Sequence, residues 1–145
     1  MKIDRIVVSA VVYATEDREK VALAMATIFP FEFEIVSYQA KGHFGNPIEY
    51  LEVEITKRKQ IKKFWNNLIN LLGDQREYII NTLEDRIDDQ GHLHIRIDKQ
   101  KAYLGEVVVT EGGDAVVVKA KLVTYPAKRE KIVEFAKEVL EKGYR

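Results

Sequence analysis

The amino-acid sequence predicts an α+β domain, in which a mostly antiparallel sheet packs on helices that cover one of its faces. Segments of alternating hydrophobicity come in pairs, as in hairpins, and segments with a helical period separate the pairs. The predicted order is β-α-β-β-α-α-β-β-β-α. Such grouping is typical of the α+β class. Because no linker, low-complexity tract or internal repeat interrupts this order, residues 1–145 are predicted to form a single domain.

The N-terminal half is predicted to hold a central strand, a helix and a hairpin. Residues 6–14 are almost continuously apolar and rich in β-branched side chains, which favours a strand covered on both faces. A helix follows, capped by Thr15 and ending before Pro30. Residues 31–35 and 51–55 alternate apolar with acidic side chains, so we expect them to pair as the arms of a long hairpin.

The C-terminal half is predicted to hold two helices, three strands and a final helix. Its predicted segments are helices over 58–72 and 74–85, strands over 92–98, 106–110 and 116–124, and a helix that begins near Pro126. The valine triplets at 107–109 and 116–118 flank Gly112 and Gly113, which is a strong hairpin signal.

The composition limits the classes of protein to which the chain can belong. Its 23 basic residues balance 23 acidic ones, so a polyanion site would require the basic residues to be segregated. The absence of cysteine excludes disulfides, iron–sulfur clusters, thiolate zinc sites and cysteine nucleophiles. No apolar run approaches the roughly 20 residues that span a bilayer, and the N-terminus shows no cleavable signal. We therefore expect a cytoplasmic protein that does not contact membranes.

A run of cations marks the start of the predicted helix over 58–72. The five charges are those of Lys57, Arg58, Lys59, Lys62 and Lys63, which we call the helix-start cluster. Cations at a helix start oppose the macrodipole at a cost of about 0.3–1 kcal/mol each, and a purely structural surface would favour glutamate there. A phosphate could meet both these side chains and the helix N-terminal amides. We interpret the cluster as a polyanion site; the alternative is the solvated face of an amphipathic helix.

A second candidate site is the connection that follows the strand over 92–98. Its sequence, Asp-Lys-Gln-Lys-Ala-Tyr-Leu-Gly, crowds cations and a ring into a link where a plain turn would suffice. The complete predicted RNA-contact set is Lys41, His43, Lys57, Arg58, Lys59, Lys62, Lys63, Arg96, Lys99, Lys101, Lys128 and Arg129. Phe44, in a glycine-bounded loop, is expected to pack in the core, with stacking on a base as the alternative, and Tyr103 is either a stacking ring or a core residue.

Acidic side chains argue against a broad RNA surface on the sheet. If Glu32, Glu34, Glu52 and Glu54 share a face with Arg96, Lys119 and Lys121, cross-strand ion pairs would explain all of them. RNA contacts would then be restricted to loops and helix starts.

The sequence offers no catalytic motif, and we expect neither an enzyme nor a bound cofactor. It lacks the nucleophile-elbow, P-loop, dinucleotide-binding and zinc-protease signatures. His92 and His94 lie two residues apart on one face of a strand, but a metal would need a third ligand, for which His43 is one candidate. We therefore predict no metal site and expect these histidines to contact solvent or RNA.

Four stretches of the chain resemble an archaeal family of small proteins. They are residues 42–48, 83–88, 93–105 and 125–130, of which the block Asp-Lys-Gln-Lys-Ala-Tyr-Leu-Gly is the most specific. Members of this family are described as predicted RNA-binding proteins and sometimes as predicted exosome-associated subunits. The resemblance covers nearly the whole chain and implies RNA binding and a fold like that of large-subunit ribosomal protein L-five. It implies no catalytic residues.

The leading hypothesis is a non-catalytic RNA-binding protein that contacts mainly phosphates, as an accessory factor of RNA processing or exosome-linked pathways. The alternative is an interaction subunit of a larger assembly, or a homodimer, with little direct RNA contact. That alternative predicts an exposed apolar patch or an open sheet edge.

Overall fold

A five-stranded sheet and six helices make up the fold in a computed structural model that describes residues 1–42 and 44–145. The strands are β1 (Lys2–Val12), β2 (Val36–Lys41), β3 (Pro47–Ile55), β4 (His92–Asp98) and β5 (Ala115–Val123). The helices are α1 (Arg18–Ala26), α2 (Arg58–Leu72), α3 (Gln75–Asn81), α4 (Leu83–Arg86), α5 (Lys99–Tyr103) and α6 (Arg129–Lys142). No helix in the described part of the chain is long and apolar enough to cross a bilayer.

The sheet is antiparallel throughout and has the strand order β2-β3-β1-β5-β4. β1 lies in the centre, hydrogen-bonded to β3 on one side and to β5 on the other. Ile6 is opposite both Ile55 of β3 and Ala120 of β5. This arrangement confirms the predicted central position of the first strand and the predicted α+β class.

One face of the sheet is buried under helices and the other is open. Alternate residues of β1, such as Ile6 and Val8, are fully buried, and they join one hydrophobic cluster with Phe64 and Trp65 of α2 and Leu140 of α6. The side chains between them in the sequence point the other way and are only partly buried. We call this second surface the open face.

The strand connections give the sheet two distinct ends. Pairing of Lys2 with Val123 and of Ile6 with Ile55 sets the start of β1 beside the ends of β5 and β3, which lead into α6 and α2. We call this the α2–α6 end. At the opposite end, β1 leads into α1 and β4 leads into α5, and we call it the α1–α5 end.

Two predicted strands differ from the structure. Residues 31–35 are not a strand, because their aromatic side chains pack on the core instead: the Phe33 ring stacks on that of Phe29, with centroids 4.1 Å apart. The arm that pairs with β3 is β2, which begins one residue later. Residues 106–110 contact β4 through a single bridge, between Val109 and Ile97, rather than forming a strand.

Two helix starts also differ from expectation. Asp17, not Thr15, caps α1, and its carboxylate accepts a hydrogen bond from the backbone N–H of Glu19. The connection after β4 forms the short helix α5, because the Asp98 carboxylate accepts from the backbone N–H of Lys101 and so begins a helical turn.

Candidate functional site

The helix-start cluster lies at the α2–α6 end, where β3 passes into α2. Lys57, Arg58, Lys59 and Lys63 are exposed, and Lys62 is half-buried with its ammonium 5.8 Å from the ring centroid of Tyr144. Across the described residues, none of the five has a carboxylate within 4.0 Å. Their charge is therefore available to an external anion.

The α2 N-terminus itself has no side-chain cap. Lys57 occupies the N-cap position with extended backbone angles, but no side chain accepts a hydrogen bond there, and the first turn contains no acidic residue. The first amides of the helix thus point outward beside five cations. Amides and cations together form the arrangement that binds phosphate at helix starts.

The start of α6 repeats part of this arrangement at the same end. Lys128 is its N-cap, again without a side-chain hydrogen bond, and the nearby ring of Tyr125 is 78% exposed. Arg129 has a different role: its guanidinium contacts the Glu84 carboxylate at 3.2 Å and donates to the backbone oxygens of Glu84 and Ile87. Arg129 therefore anchors α6 to α4, and its charge is partly neutralised within the protein.

Lys99 is buried, which does not fit its predicted contact with RNA. Its side chain is 2% exposed, and its ammonium lies 2.7 Å from Glu16 and 2.6 Å from Asp114. It also donates to the backbone oxygen of Val11 at 2.8 Å. Two carboxylates and a carbonyl use the donors of this lysine, so it joins the start of α1 to the loop before β5.

The remaining predicted contacts lie at the α1–α5 end or outside the described residues. Lys41 ends β2 and Lys101 lies on α5, both exposed, whereas His43 falls outside the described residues. The expectation that Phe44 packs in the core is wrong, because it is 86% exposed. Tyr103 is 38% exposed with the Lys20 ammonium over its ring, so it is a surface residue. The predicted set is thus divided between the two ends of the sheet.

The open face separates its acidic and basic side chains. Glu54 of β3 is opposite Val7 of β1, which in turn is opposite Lys119 of β5. Glu52 is opposite Ser9. The acidic and basic columns are thus two strand spacings apart, about 10 Å. The cross-strand ion pairs that the alternative explanation requires are absent among the described residues, and Glu32 and Glu34 belong to no strand.

The basic half of the open face surrounds a pocket of about 300 Å³. We call it the open-face pocket; its lining residues are Arg5, Val7, Ser9, Glu52, His92, His94, Val117, Lys119 and Lys121. Within the described ranges, Arg5 and Lys119 have no carboxylate within 4.0 Å, and the Lys121 ammonium donates to the backbone oxygen of Gln90. This pocket is the second concentration of cations that lack a carboxylate partner among the described residues.

His92 and His94 share the carboxylate of Asp88 at one side of this pocket. His94 Nε2 lies 2.9 Å from Asp88 Oδ2, and His92 Nδ1 lies 3.3 Å from the same carboxylate. Partial burial raises the pKa of Asp88, but hydrogen bonds from His94 and from the amides of His92 and Gln90 outweigh it and hold that pKa well below its usual range. Asp88 is therefore ionised and held by its neighbours.

The two histidines do not assemble a metal site with the described part of the chain. No group of three or more acidic or histidine side chains that could hold a metal ion occurs there. Burial lowers the pKa of His92. The positive charges of Lys119 and Lys121 lower it further, and the carboxylate of Asp88 offsets these effects only in part. The positive field of the pocket therefore reaches the imidazole ring of His92.

Arg96 continues the same column of β4 and is held by the loop before β5. Its Nη2 donates to the backbone oxygen of Gly113 at 2.6 Å, while its buried Nε has no hydrogen-bond partner among the residues that the structure describes. The contribution of Arg96 to a surface charge is limited by this contact.

The sequence interpretation did not include Arg5 or Tyr125 among the RNA contacts, and it offered ion pairing as one explanation of Lys119 and Lys121. Alternation of Lys119 and Lys121 with apolar residues already placed both lysines on one face of a strand. Only the strand register, which sets Arg5 opposite Lys121, shows that they join other cations.

Known proteins resemble this chain over most of its length. A family model described as RNA binding matches residues 5–122. RNA-binding protein PAB1135 of Pyrococcus abyssi is 43% identical over 138 residues, which cover 90% of this chain and 88% of that protein. The crystal structure of protein AF2318 from Archaeoglobus fulgidus superposes with a TM-score of 0.92 at 67% identity, covering 95% of this chain and 99% of that one.

A more distant relative spans the chain equally well. Uncharacterized protein MJ0213 of Methanocaldococcus jannaschii is 35% identical over 144 residues, covering 91% of this chain and 94% of that protein. The matches extend over both ends of the sheet and are not confined to one motif. The chain belongs to the protein family whose model is described as RNA binding.

Proposed function

We propose that the protein binds RNA without catalysing a reaction on it, and that the α2–α6 end is its main contact surface. The carrying observation is that the five cations of the helix-start cluster have no carboxylate partner among the described residues and surround an uncapped helix start. Family membership supports RNA as the polyanion.

Phosphate groups are the RNA feature that this surface suits. Lysine and arginine side chains with outward amides recognise the backbone without reading its sequence. Binding would therefore depend strongly on salt, since each neutralised phosphate of a single strand contributes about 0.7 to the slope of log K against log salt. The exposed Tyr125 ring, near the start of α6, offers a platform on which an unpaired base would stack.

The cations of the α1–α5 end form a secondary part of this proposal. Lys41 and Lys101 are exposed and would extend contact with a long RNA, and His43 would add to them. Lys99 is excluded from direct contact by its burial.

A role as an accessory factor of RNA processing, including exosome-linked pathways, is the finer form of the proposal. The family resemblance supports it, as it supports the likeness to ribosomal protein L-five. Crosslinking the protein to RNA in cells, and sequencing the attached RNA, tests the role directly. Recovery of no RNA above a non-crosslinked control would reject it.

Charge reversal within the helix-start cluster tests the main contact surface. The variant Lys59→Glu, Lys62→Glu, Lys63→Glu should abolish binding of a labelled dodecauridylate in fluorescence anisotropy, at a salt concentration where the unaltered protein binds. The matched control reverses three exposed lysines away from the two helix starts, Lys20 on α1 and Lys137 and Lys142 on α6, of which Lys137 already contacts a glutamate. Both variants should retain the cooperative thermal unfolding of the unaltered protein. Equal RNA affinity in the two variants would reject this surface.

One observation favours the alternative of an interaction subunit. β2 is an edge strand, and its Val36 and Tyr38 are 66% and 50% exposed. An open edge of this kind can pair with a strand of another chain. A partner recovered from cells with equal yield before and after nuclease treatment, and lost with Val36→Lys, would support that function over direct RNA binding.

A further inference from the structure

We propose that the open-face pocket is a phosphate site in which Arg5, Lys119 and Lys121 hold one phosphate group of an RNA strand. This inference rests on the proposed function and adds a defined contact to it. The side chains of the helix-start cluster project separately from a helix, whereas the open-face pocket is concave and brings together cations from two strands. Its volume, about 300 Å³, is at the low end of small-ligand pockets, which suits a single phosphate with its sugar.

The strand register forces the positive charges together. Arg5 of β1 is directly opposite Lys121 of β5, and Lys121 is directly opposite His92 of β4. Lys119 lies one step along the same column and is opposite His94. Side chains that are directly opposite on one face have Cβ atoms about 4.5–5.5 Å apart, so their charged groups can reach a common ligand.

This arrangement costs stability in the unbound protein. Like charges directly opposite each other on a sheet are destabilising, and the described residues place no carboxylate within 4.0 Å of Arg5, Lys119 or Lys121. A threonine or valine at these positions would serve a half-buried strand better. Residues that destabilise the local structure in this way are expected at ligand-binding sites. A bound phosphate would remove the repulsion.

The acidic groups near the pocket leave its centre cationic. Glu52 lines one wall, and Glu54 lies beyond it in the β3 column, across β1 from the lysines. Asp88 faces the opposite side, but its oxygens accept hydrogen bonds from both histidines. On β4 the column continues to Arg96, which adds no negative charge. The anion would therefore sit over β1 and β5.

The pocket and the helix-start cluster are adjacent through the chain itself. Arg5 precedes Ile6, and Ile6 is opposite Ile55, two residues before Lys57. Neighbouring strands lie about 4.8 Å apart, so a single RNA strand can contact both sites at the α2–α6 end. The pocket would then fix the register of a strand that the cluster attracts.

Paired variants separate this inference from the proposed function. The pocket variant is Lys119→Gln, Lys121→Gln, and the matched cluster variant is Lys59→Gln, Lys63→Gln; each loses two charges. We expect the pocket variant to bind dodecauridylate at least fivefold more weakly, with the slope of log K against log salt reduced by about 0.7, one phosphate. Its thermal stability should change little, because relief of the repulsion between cations offsets the lost hydrogen bond from Lys121 to the Gln90 carbonyl.

Proton NMR of the histidines reports on the pocket directly. Binding of an anion beside Lys119 and Lys121 should raise the pKa of the His92 ring, which a pH titration with and without RNA measures. Assignment uses His92→Gln and His94→Gln. Dodecauridylates with a 5′-phosphate and with a 5′-hydroxyl show which phosphate of the RNA occupies the pocket. If the 5′-phosphorylated RNA binds more tightly, and the pocket variant loses this difference, the pocket holds a terminal phosphate. Equal binding of the two RNAs indicates an internal phosphate.

Three results would overturn the inference. If the pocket variant binds RNA as the unaltered protein does while the cluster variant binds more weakly, the pocket is not a site but the proposed function stands. If both variants bind normally, the proposed function fails as well. If the pocket variant binds more weakly but RNA leaves the pKa of His92 unchanged, the lysines act at a distance and hold no phosphate.

Discussion

The helices at the two ends of the sheet differ in how their N-termini are capped. At the α1–α5 end, both helices begin with an aspartate whose carboxylate accepts a backbone N–H, Asp17 for α1 and Asp98 for α5. At the α2–α6 end, both helices begin with a lysine and no side-chain cap, Lys57 for α2 and Lys128 for α6. One end satisfies its helix starts internally, and the other leaves them for something outside.

Lys99 and the helix-start cluster show the same contrast. The ammonium of Lys99 is enclosed at the α1–α5 end by Glu16 and Asp114, whereas the helix-start cluster at the other end has no such partners in the described structure. The molecule has no net charge, so its partners cannot be inferred from the total. Local pairing, not the count of lysines, decides where a polyanion can bind.

The largest expected effect concerns stability at the α1–α5 end. Lys99→Ala removes a buried ammonium and leaves two carboxylates and the Val11 carbonyl without their donor. Breaking a buried pair costs about 3–5 kcal/mol; because Glu16 and Asp114 keep some contact with water, we expect a loss of about 2–4 kcal/mol. Urea unfolding measures it, and RNA affinity should not change under conditions where the variant is folded.

Lys101→Ala is the control for this change. It removes a lysine two residues away that is exposed and forms no ion pair among the described residues, so stability should change by less than about 0.5 kcal/mol. A similar loss of stability in both variants would mean that the buried ion pairs of Lys99 do not stabilise the fold.

The second prediction converts one end into the other. Lys57→Asp supplies the missing cap of α2, and we expect it to stabilise the protein by about 1 kcal/mol. The same change places a carboxylate where phosphate would bind, so RNA affinity should fall. Opposite changes in stability and affinity, from urea unfolding and anisotropy, would show that the α2 start is kept uncapped for binding. A gain in both would contradict the division between the ends.

The third prediction removes a cap at the α1–α5 end. Asp98→Ala leaves the Lys101 amide without its acceptor and should cost about 0.5–1 kcal/mol in thermal unfolding. RNA affinity should stay the same or rise slightly, since one negative charge is lost. A fall in affinity would place an RNA contact at this end.

The fold class followed from the sequence because the strand and helix periods are strong, as in residues 92–98 and 58–72. The secondary structure was predicted wrongly where a local pattern fits more than one structure. Phe31 and Phe33 alternate with glutamates as in a strand, yet their rings pack on the core outside the sheet. The carboxylate of Asp98 starts a helix within a segment that otherwise suggests a loop.

The candidate site was less predictable than the fold. The helix-start cluster is local in the sequence, so its position at the start of α2 could be predicted. Burial of Lys99 could not, because its partners Glu16 and Asp114 are 83 and 15 positions away along the chain. The open-face pocket depends on the register of three strands, which no local pattern specifies.

The smallest expected effect is on RNA binding, when a single lysine is removed from one or the other end of the sheet. Lys59→Gln at the α2–α6 end and Lys101→Gln at the α1–α5 end each remove one exposed lysine and should leave stability unchanged within about 0.5 kcal/mol. If Lys59 contacts a phosphate, its loss reduces the slope of log K against log salt by about 0.7 for a single strand. Loss of Lys101 should leave the slope unchanged for an oligonucleotide too short to reach both ends. Anisotropy titrations of a hexauridylate over a series of salt concentrations measure both slopes, and equal reductions would show that the two ends share the RNA.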